Sequence, residues 1–114
     1  MDSFNMGRVC EDLAANYYKR NGYRILERNY RSRDGEIDII ACKDGTLVFA
    51  EVKSVPPSWD WADLQRKIPP PKILRIKKTA SQYLASGTNA VYHLVRFDAV
   101  FVCNGRVACI RGAF

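Results

Sequence analysis

The chain has a single histidine, His93, and four cysteines, at positions 10, 42, 103 and 109, with no CxxC pair among them. That scarcity argues against a zinc site, which clusters Cys and His ligands, and against Ser-His-Asp or Cys-His nucleophilic chemistry. His93 reads as a satisfied strand residue and the cysteines as buried free thiols. No apolar run approaches the roughly 18 residues of a membrane span. The stretch MDSFNMGRVCEDL lacks a basic start followed by an apolar block, so no secretory signal is read there and the cytoplasm is the expected location. Acids are also scarce in two places. From Lys19 to Arg33 six basic residues face one acid, Glu27, and from Arg66 to Lys78 another six face none. With a net charge of +6, such clusters suit a polyanion, either nucleic acid or an anionic membrane surface, or else form a solvated face.

What is present fits one globular domain spanning residues 1–114, without internal repeats or low-complexity tails. Met6, Cys10, Leu13, Ala14 and Tyr17 recur at helical spacing, which predicts an amphipathic helix over about residues 5–21 ended by Gly22. YRILERNYR reads as a strand and RSRDG as a polar turn. Asp44-Gly45 and Asn104-Gly105 each separate two β-like runs, as two-residue hairpin turns do. The Pro- and Trp-rich connection PPSWDWADLQRKIPPP has room for a short helical turn. Pro71 suits a helix start, and Ile73, Ile76, Ala80, Tyr83 and Leu84 continue a helical stripe to Gly87. The expected order is helix, three strands, helix, two strands around a central mixed sheet: an α/β fold.

The first hairpin carries acids where strands usually carry apolar or neutral residues. With Asp44 and Gly45 as the turn, Lys43 faces Thr46, Ile40 faces Phe49, Asp38 faces Glu51 and Glu36 faces Lys53. Side chains alternate, so the last three pairs lie on one face, while Ile37, Ile39, Ala41, Val48, Ala50 and Val52 form the apolar one. Directly opposed like charges are destabilising. A hard divalent cation such as Mg²⁺ between Asp38 and Glu51 removes that repulsion. Solvated edge charges are the other reading, and spacing alone leaves both open.

Asp38 followed by Glu51-Val52-Lys53 resembles the PD-(D/E)XK nuclease signature. GRVCEDLAANYYKRNGYRILERNYR, GEIDIIACKDGTLVFAEVK, KILRIKKTASQYL and RFDAV resemble successive blocks of the YraN-like family of predicted endonucleases, which is related to archaeal Holliday-junction resolvases. The resemblance implies a restriction-endonuclease-like fold and a metal-dependent endonuclease acting on nucleic acid, with DNA, branched DNA included, first among the substrates. It assigns catalysis to Asp38, Glu51 and Lys53, and Mg²⁺ or Mn²⁺ to Asp38, Glu51 and the Val52 carbonyl. Glu11 matches a further acidic position of resolvase-like members, although it falls off the Met6/Cys10/Leu13/Tyr17 stripe. Resolvase-like relatives also make a homodimer an expectation. Two departures stand out: Val55 replaces a second basic residue after the ExK triplet, and Trp59 and Trp61 replace a Phe-Gly pair in the following loop.

Lys72, Arg75 and Lys78 form a basic stripe which, with Arg31 and Arg33, is the expected phosphate contact. Trp59 and Trp61 either stack on unpaired bases or pin their loop to the body. Two competing functions are a non-catalytic nucleic-acid-binding module on the same fold and a basic domain that meets an acidic protein or membrane.

Overall fold

The computed structural model describes residues 3–65 and 68–114, so Arg66 and Lys67 of the second basic run lie outside the described residues. The elements are α1 (Ser3–Arg20), β1 (Arg24–Ser32), β2 (Gly35–Lys43), β3 (Thr46–Ser54), α2 (Trp61–Gln65), α3 (Pro70–Ser86), β4 (Leu94–Cys103) and β5 (Arg106–Ile110). The expected order is observed, with the short α2 inside the Pro- and Trp-rich connection. The sheet runs β1-β2-β3-β4-β5. Every neighbouring pair is antiparallel except β3 and β4, which run parallel. A parallel pair needs a long crossover, and α2 and α3 supply it.

Local chemistry accounts for the boundaries. Gly22 takes φ 86° and ends α1 with two bonds, Gly22 N–H to the Lys19 carbonyl at 3.1 Å and Tyr23 N–H to the Tyr18 carbonyl at 3.0 Å. That is the paired bonding of a Schellman cap. Asp44 and Gly45 take φ 49° and 79°, and Asn104 and Gly105 take 48° and 76°, so both hairpins turn on two residues with positive φ. A side chain at Gly45 would also overlap the His93 ring, because His93 N–H reaches back to the Gly45 carbonyl at 2.8 Å. His93 is therefore not the strand residue expected; it lies just before β4, exposed, against the turn. Helix α3 begins one residue earlier than expected, with Pro70 and Pro71 in its first two positions, where a missing N–H costs nothing.

The central strands are buried on both faces. Ile39, Ala41, Val48 and Ala50 pack with Ala14, Ala15 and Tyr18 of α1. Ile40, Leu47 and Phe49 pack with Ile76, Ala80 and Tyr83 of α3. Ile37 joins this second group, contrary to the expected alternation. The buried side of α1 is also rotated from the expected stripe: Cys10, Ala14, Ala15 and Tyr18 are buried, whereas Met6 is exposed and Leu13 and Tyr17 are half-buried. Of the four thiols only Cys10 is fully buried. Trp59 packs beside Val55 and Phe101, which favours the loop-pinning reading; the Trp61 side chain lies outside the described residues. Among the described residues no helix is long and apolar enough to cross a membrane.

Candidate metal and nucleic-acid site

The hairpin ladder follows the predicted register from Lys43↔Thr46 to Ile39↔Ala50 and ends there, one residue short of Asp38 and Glu51. The ladder with β1 skips the same place: Arg28↔Ile39 and Tyr30↔Ile37 pair, and Asn29 between them takes φ 54°, a left-handed conformation asparagine tolerates. The Asp38 carboxylate instead accepts the Val52 N–H at 2.7 Å. A strand residue sends its N–H and C=O out on the same side, so the Val52 carbonyl also faces β2. This local break explains the misplaced Ile37. The strand changes its facing at Asp38, and the acid is held by a backbone bond rather than left to solvent.

Glu51 is the best-buried acid of the hairpin, its side chain 7% exposed, and its Oε1 lies 2.6 Å from the Lys72 ammonium. Burial is the largest single influence on Lys72 and works against its charge, but the bond and charge of Glu51, with Lys53 and Asp38 adding, together outweigh it, and the ammonium holds its proton more tightly than usual. Desolvation raises the Asp38 carboxyl to about 7, with repulsion from Glu51 adding to it; Glu11 and Glu36 push the same way and the Val52 N–H pulls it back. The rotated helix stripe accounts for Glu11, which sits three, four and seven residues before the buried Ala14, Ala15 and Tyr18. The side chain is thus on the buried side of α1 after all. Its Oε1 is buried and has no hydrogen-bond partner. Glu36 lies across from Arg31, 3.5 Å from its guanidinium.

Two openings flank these acids. A cavity of about 180 Å³ is lined by Gly35, Glu36, Asp38, Glu51, Lys72, Arg75 and Ile76. The turn before β2 is drawn onto α3 here: Gln82 donates to Asp34, and a side chain at Gly35 would crowd the Thr79 hydroxyl. A wider cleft of about 660 Å³ beside Glu11 is lined by Gly7, Arg8, Asp12, Arg28 and Asn29. Arg28 is paired with Asp12 at 2.7 Å. The expected phosphate contacts are therefore divided. Arg31 and Arg33 are 78% and 89% exposed, and Lys78 is exposed on α3. Arg75 lines the smaller cavity, and Lys72 is turned inward. Arg8 escaped sequence reasoning because a lone arginine in the first helix belongs to no charge run.

The donor set suits a hard cation. All the acids present oxygen, and among the described residues no group of three or more His, Cys, Asp or Glu stands close enough to chelate a metal in the side-chain positions shown. The Glu11 oxygen is nevertheless buried without a hydrogen-bond partner, and Asp38 keeps its proton to a higher pH than usual chiefly because it is buried and secondly because Glu51 is near.

Residues 10–102 match the profile of "Uncharacterised protein family UPF0102". The chain belongs to the UPF0102 family. A UPF0102 protein of Persephonella marina is 42% identical over 114 residues, covering all of this chain and 97% of its own. That of Syntrophus aciditrophicus is 43% identical over 112 residues, 95% of this chain and 87% of its own. That of Mycobacterium avium is 37% identical over 108 residues, 93% and 83%. The matched UPF0102 segment runs from α1 into β4 and so takes in Glu11, Asp38, Glu51, Lys53 and Lys72.

Proposed function

We propose that this UPF0102 protein is a metal-dependent endonuclease that hydrolyses phosphodiester bonds in nucleic acid, DNA first among them, on a restriction-endonuclease-like fold. The observation that carries the reading is the Asp38–Glu51 break in the sheet. Two carboxylates are brought together on central strands, one of them fixed by the Val52 N–H, at a place where the ladder gives up pairing to accommodate them. A mixed five-stranded sheet with helices on both faces supports the fold assignment.

Asp38, Glu51 and the Val52 carbonyl are the residues that would hold Mg²⁺ or Mn²⁺, with Glu11 as a further ligand. Such a cation polarises a phosphoryl oxygen and lowers the pKa of a bound water. The chain's own groups do the rest. Lys53, two residues beyond Glu51 on the same strand face, presents its ammonium to the charge that develops on the phosphorane. Arg75 in the cavity, Arg8 in the wider cleft and the exposed Arg31 and Arg33 give the flanking phosphates sequence-independent partners.

A non-catalytic nucleic-acid-binding module draws on one specific observation, the Lys72 ammonium that neutralises Glu51 without a metal. Incubation with Mn²⁺ and a panel of four-way junction, flap, duplex and single-stranded DNA and RNA separates the two. The nuclease reading predicts cleavage of at least one substrate, slowed about 10²–10³-fold in Lys53→Ala, the usual worth of one transition-state donor. Binding without cleavage would transfer the reading to the module. Neither binding nor cleavage would defeat both.

A further inference from the structure

Lys72 was expected on a solvent-facing phosphate stripe, yet its ammonium sits on the most buried acid of the site. The contact is short, 2.6 Å, and the lysine side chain is only 29% exposed. A buried carboxylate next to a second one is stable only with a counter-charge. Lys72 provides it from the first turn of α3, where Pro69, Pro70 and Pro71 fix the backbone that carries it.

The residue type matters as much as the place. An arginine would grip Glu51 with a planar two-bond fork, whereas lysine offers a point charge on a flexible four-carbon stem. Such a charge can leave by rotation about its side-chain bonds while the helix stays in place. It also has somewhere to go: the cavity of about 180 Å³ that it lines contains Glu36, whose side chain is 38% exposed.

We propose that Lys72 is the internal counter-ion of the acidic site, holding Glu51 while no divalent cation is bound and yielding it when one arrives. The inference rests on the metal-dependent reading above. It explains how the pair of acids stays folded without metal, and it makes Lys72 a competitor that sets the affinity for metal. It also removes the conflict between an acidic site and the lysine seated in it.

Two measurements without turnover test this. Calorimetric titration of Mn²⁺ compares wild type with Lys72→Met, Lys72→Arg, Glu51→Gln and Lys77→Met. Lys72→Met is expected to bind Mn²⁺ roughly tenfold more tightly than wild type, an ordinary coupling between two ligands of one site. Lys72→Arg binds more weakly, and Glu51→Gln loses most of the affinity. Lys77→Met removes an equal charge from the same helix at an exposed position outside the cavity, and it changes the affinity by less than about threefold. In wild type, acetylation of Lys72 mapped by mass spectrometry is expected to speed up severalfold on adding Mn²⁺. This second measurement needs no variant, so a poorly folded Lys72→Met protein does not shelter the idea. Equal Mn²⁺ affinity in wild type, Lys72→Met and Lys72→Arg, with unchanged acetylation, would make Lys72 a structural ion pair only and leave the nuclease reading intact. Absence of Mn²⁺ binding from every protein would overturn the metal site and this inference together. Binding by Lys72→Met alone would support it in its strongest form.

Discussion

Asp98→Ala is expected to destabilise the protein by about 3–5 kcal/mol, the usual cost of removing one partner from a buried ion pair. Asp98 is fully buried, and Arg96, Tyr18 and Gly112 together donate four hydrogen bonds to it. Arg96 closes a fork on both oxygens, Nε to Oδ1 at 2.8 Å and the terminal nitrogen to Oδ2 at 2.9 Å. The Tyr18 hydroxyl donates at 2.8 Å from α1, and Gly112 N–H donates at 3.1 Å from beyond β5. Arg96 also reaches the Tyr23 hydroxyl at 2.9 Å, next to the Schellman cap. One carboxylate thus ties β4 to α1, to the α1–β1 junction and to the C-terminal segment. Its loss strands a guanidinium that the bonds to Asp98 hold protonated against the effect of burial, and a hydroxyl that burial and the Asp98 charge both push to a higher pKa. Because whole-domain stability is about 5–15 kcal/mol, that loss removes a large share of it and the unfolding midpoint in urea should fall sharply. Urea melts of wild type, Asp98→Ala and Asp98→Asn check this. A loss below about 1 kcal/mol in Asp98→Ala would mean that the network adds little.

Asp38→Asn is the opposite kind of substitution. It keeps an oxygen for the Val52 N–H while removing the charge that Glu51, Glu11 and Glu36 oppose. Cleavage is expected to fall about 10³-fold or more, since several kcal/mol of transition-state stabilisation pass through that carboxylate. Stability without metal should instead rise by about 1–2 kcal/mol above pH 7, the gain expected when a functional site is relieved of its own repulsion. Single-turnover cleavage and urea melts on the same preparation read both effects. A variant that loses stability and activity together would make Asp38 an ordinary structural acid.

The contrast shows what was legible in the chain. Asp-Gly and Asn-Gly turns fixed both hairpins because only a few residues accept positive φ, and the register followed from the turn as far as Ile39↔Ala50. The break at Asp38 was not legible, because alternation assumes an unbroken ladder. The phase of α1 was misread because its buried side is made of Ala14 and Ala15, which weigh less in a hydrophobic stripe than Leu13 or Met6. With that phase went the orientation of Glu11. Lys72 was read by its spacing with Arg75 and Lys78, which carries no information about the buried acid beyond it. The Asp98 network was invisible because Tyr18 and Asp98 are 80 residues apart and meet only in the folded sheet.

On the metal-dependent proposal, the acids of the hairpin are assembled at an electrostatic cost which a divalent cation relieves. Unfolded, Asp38 releases its proton near pH 4, whereas folded it keeps that proton up to about 7. The folded state therefore binds more protons across that window. The contribution of Asp38 to stability is fully present below pH 4, falls as pH rises, and is gone above about 7. The most direct measurement is thermal melting of wild type and Asp38→Asn from pH 4 to 8, with and without saturating Mn²⁺. Without metal, the advantage of Asp38→Asn should widen from pH 4 to 7 and then level off; with Mn²⁺, wild type should gain stability and close the gap while the variant does not respond. Parallel melting profiles, with neither protein responding to Mn²⁺, would contradict the account.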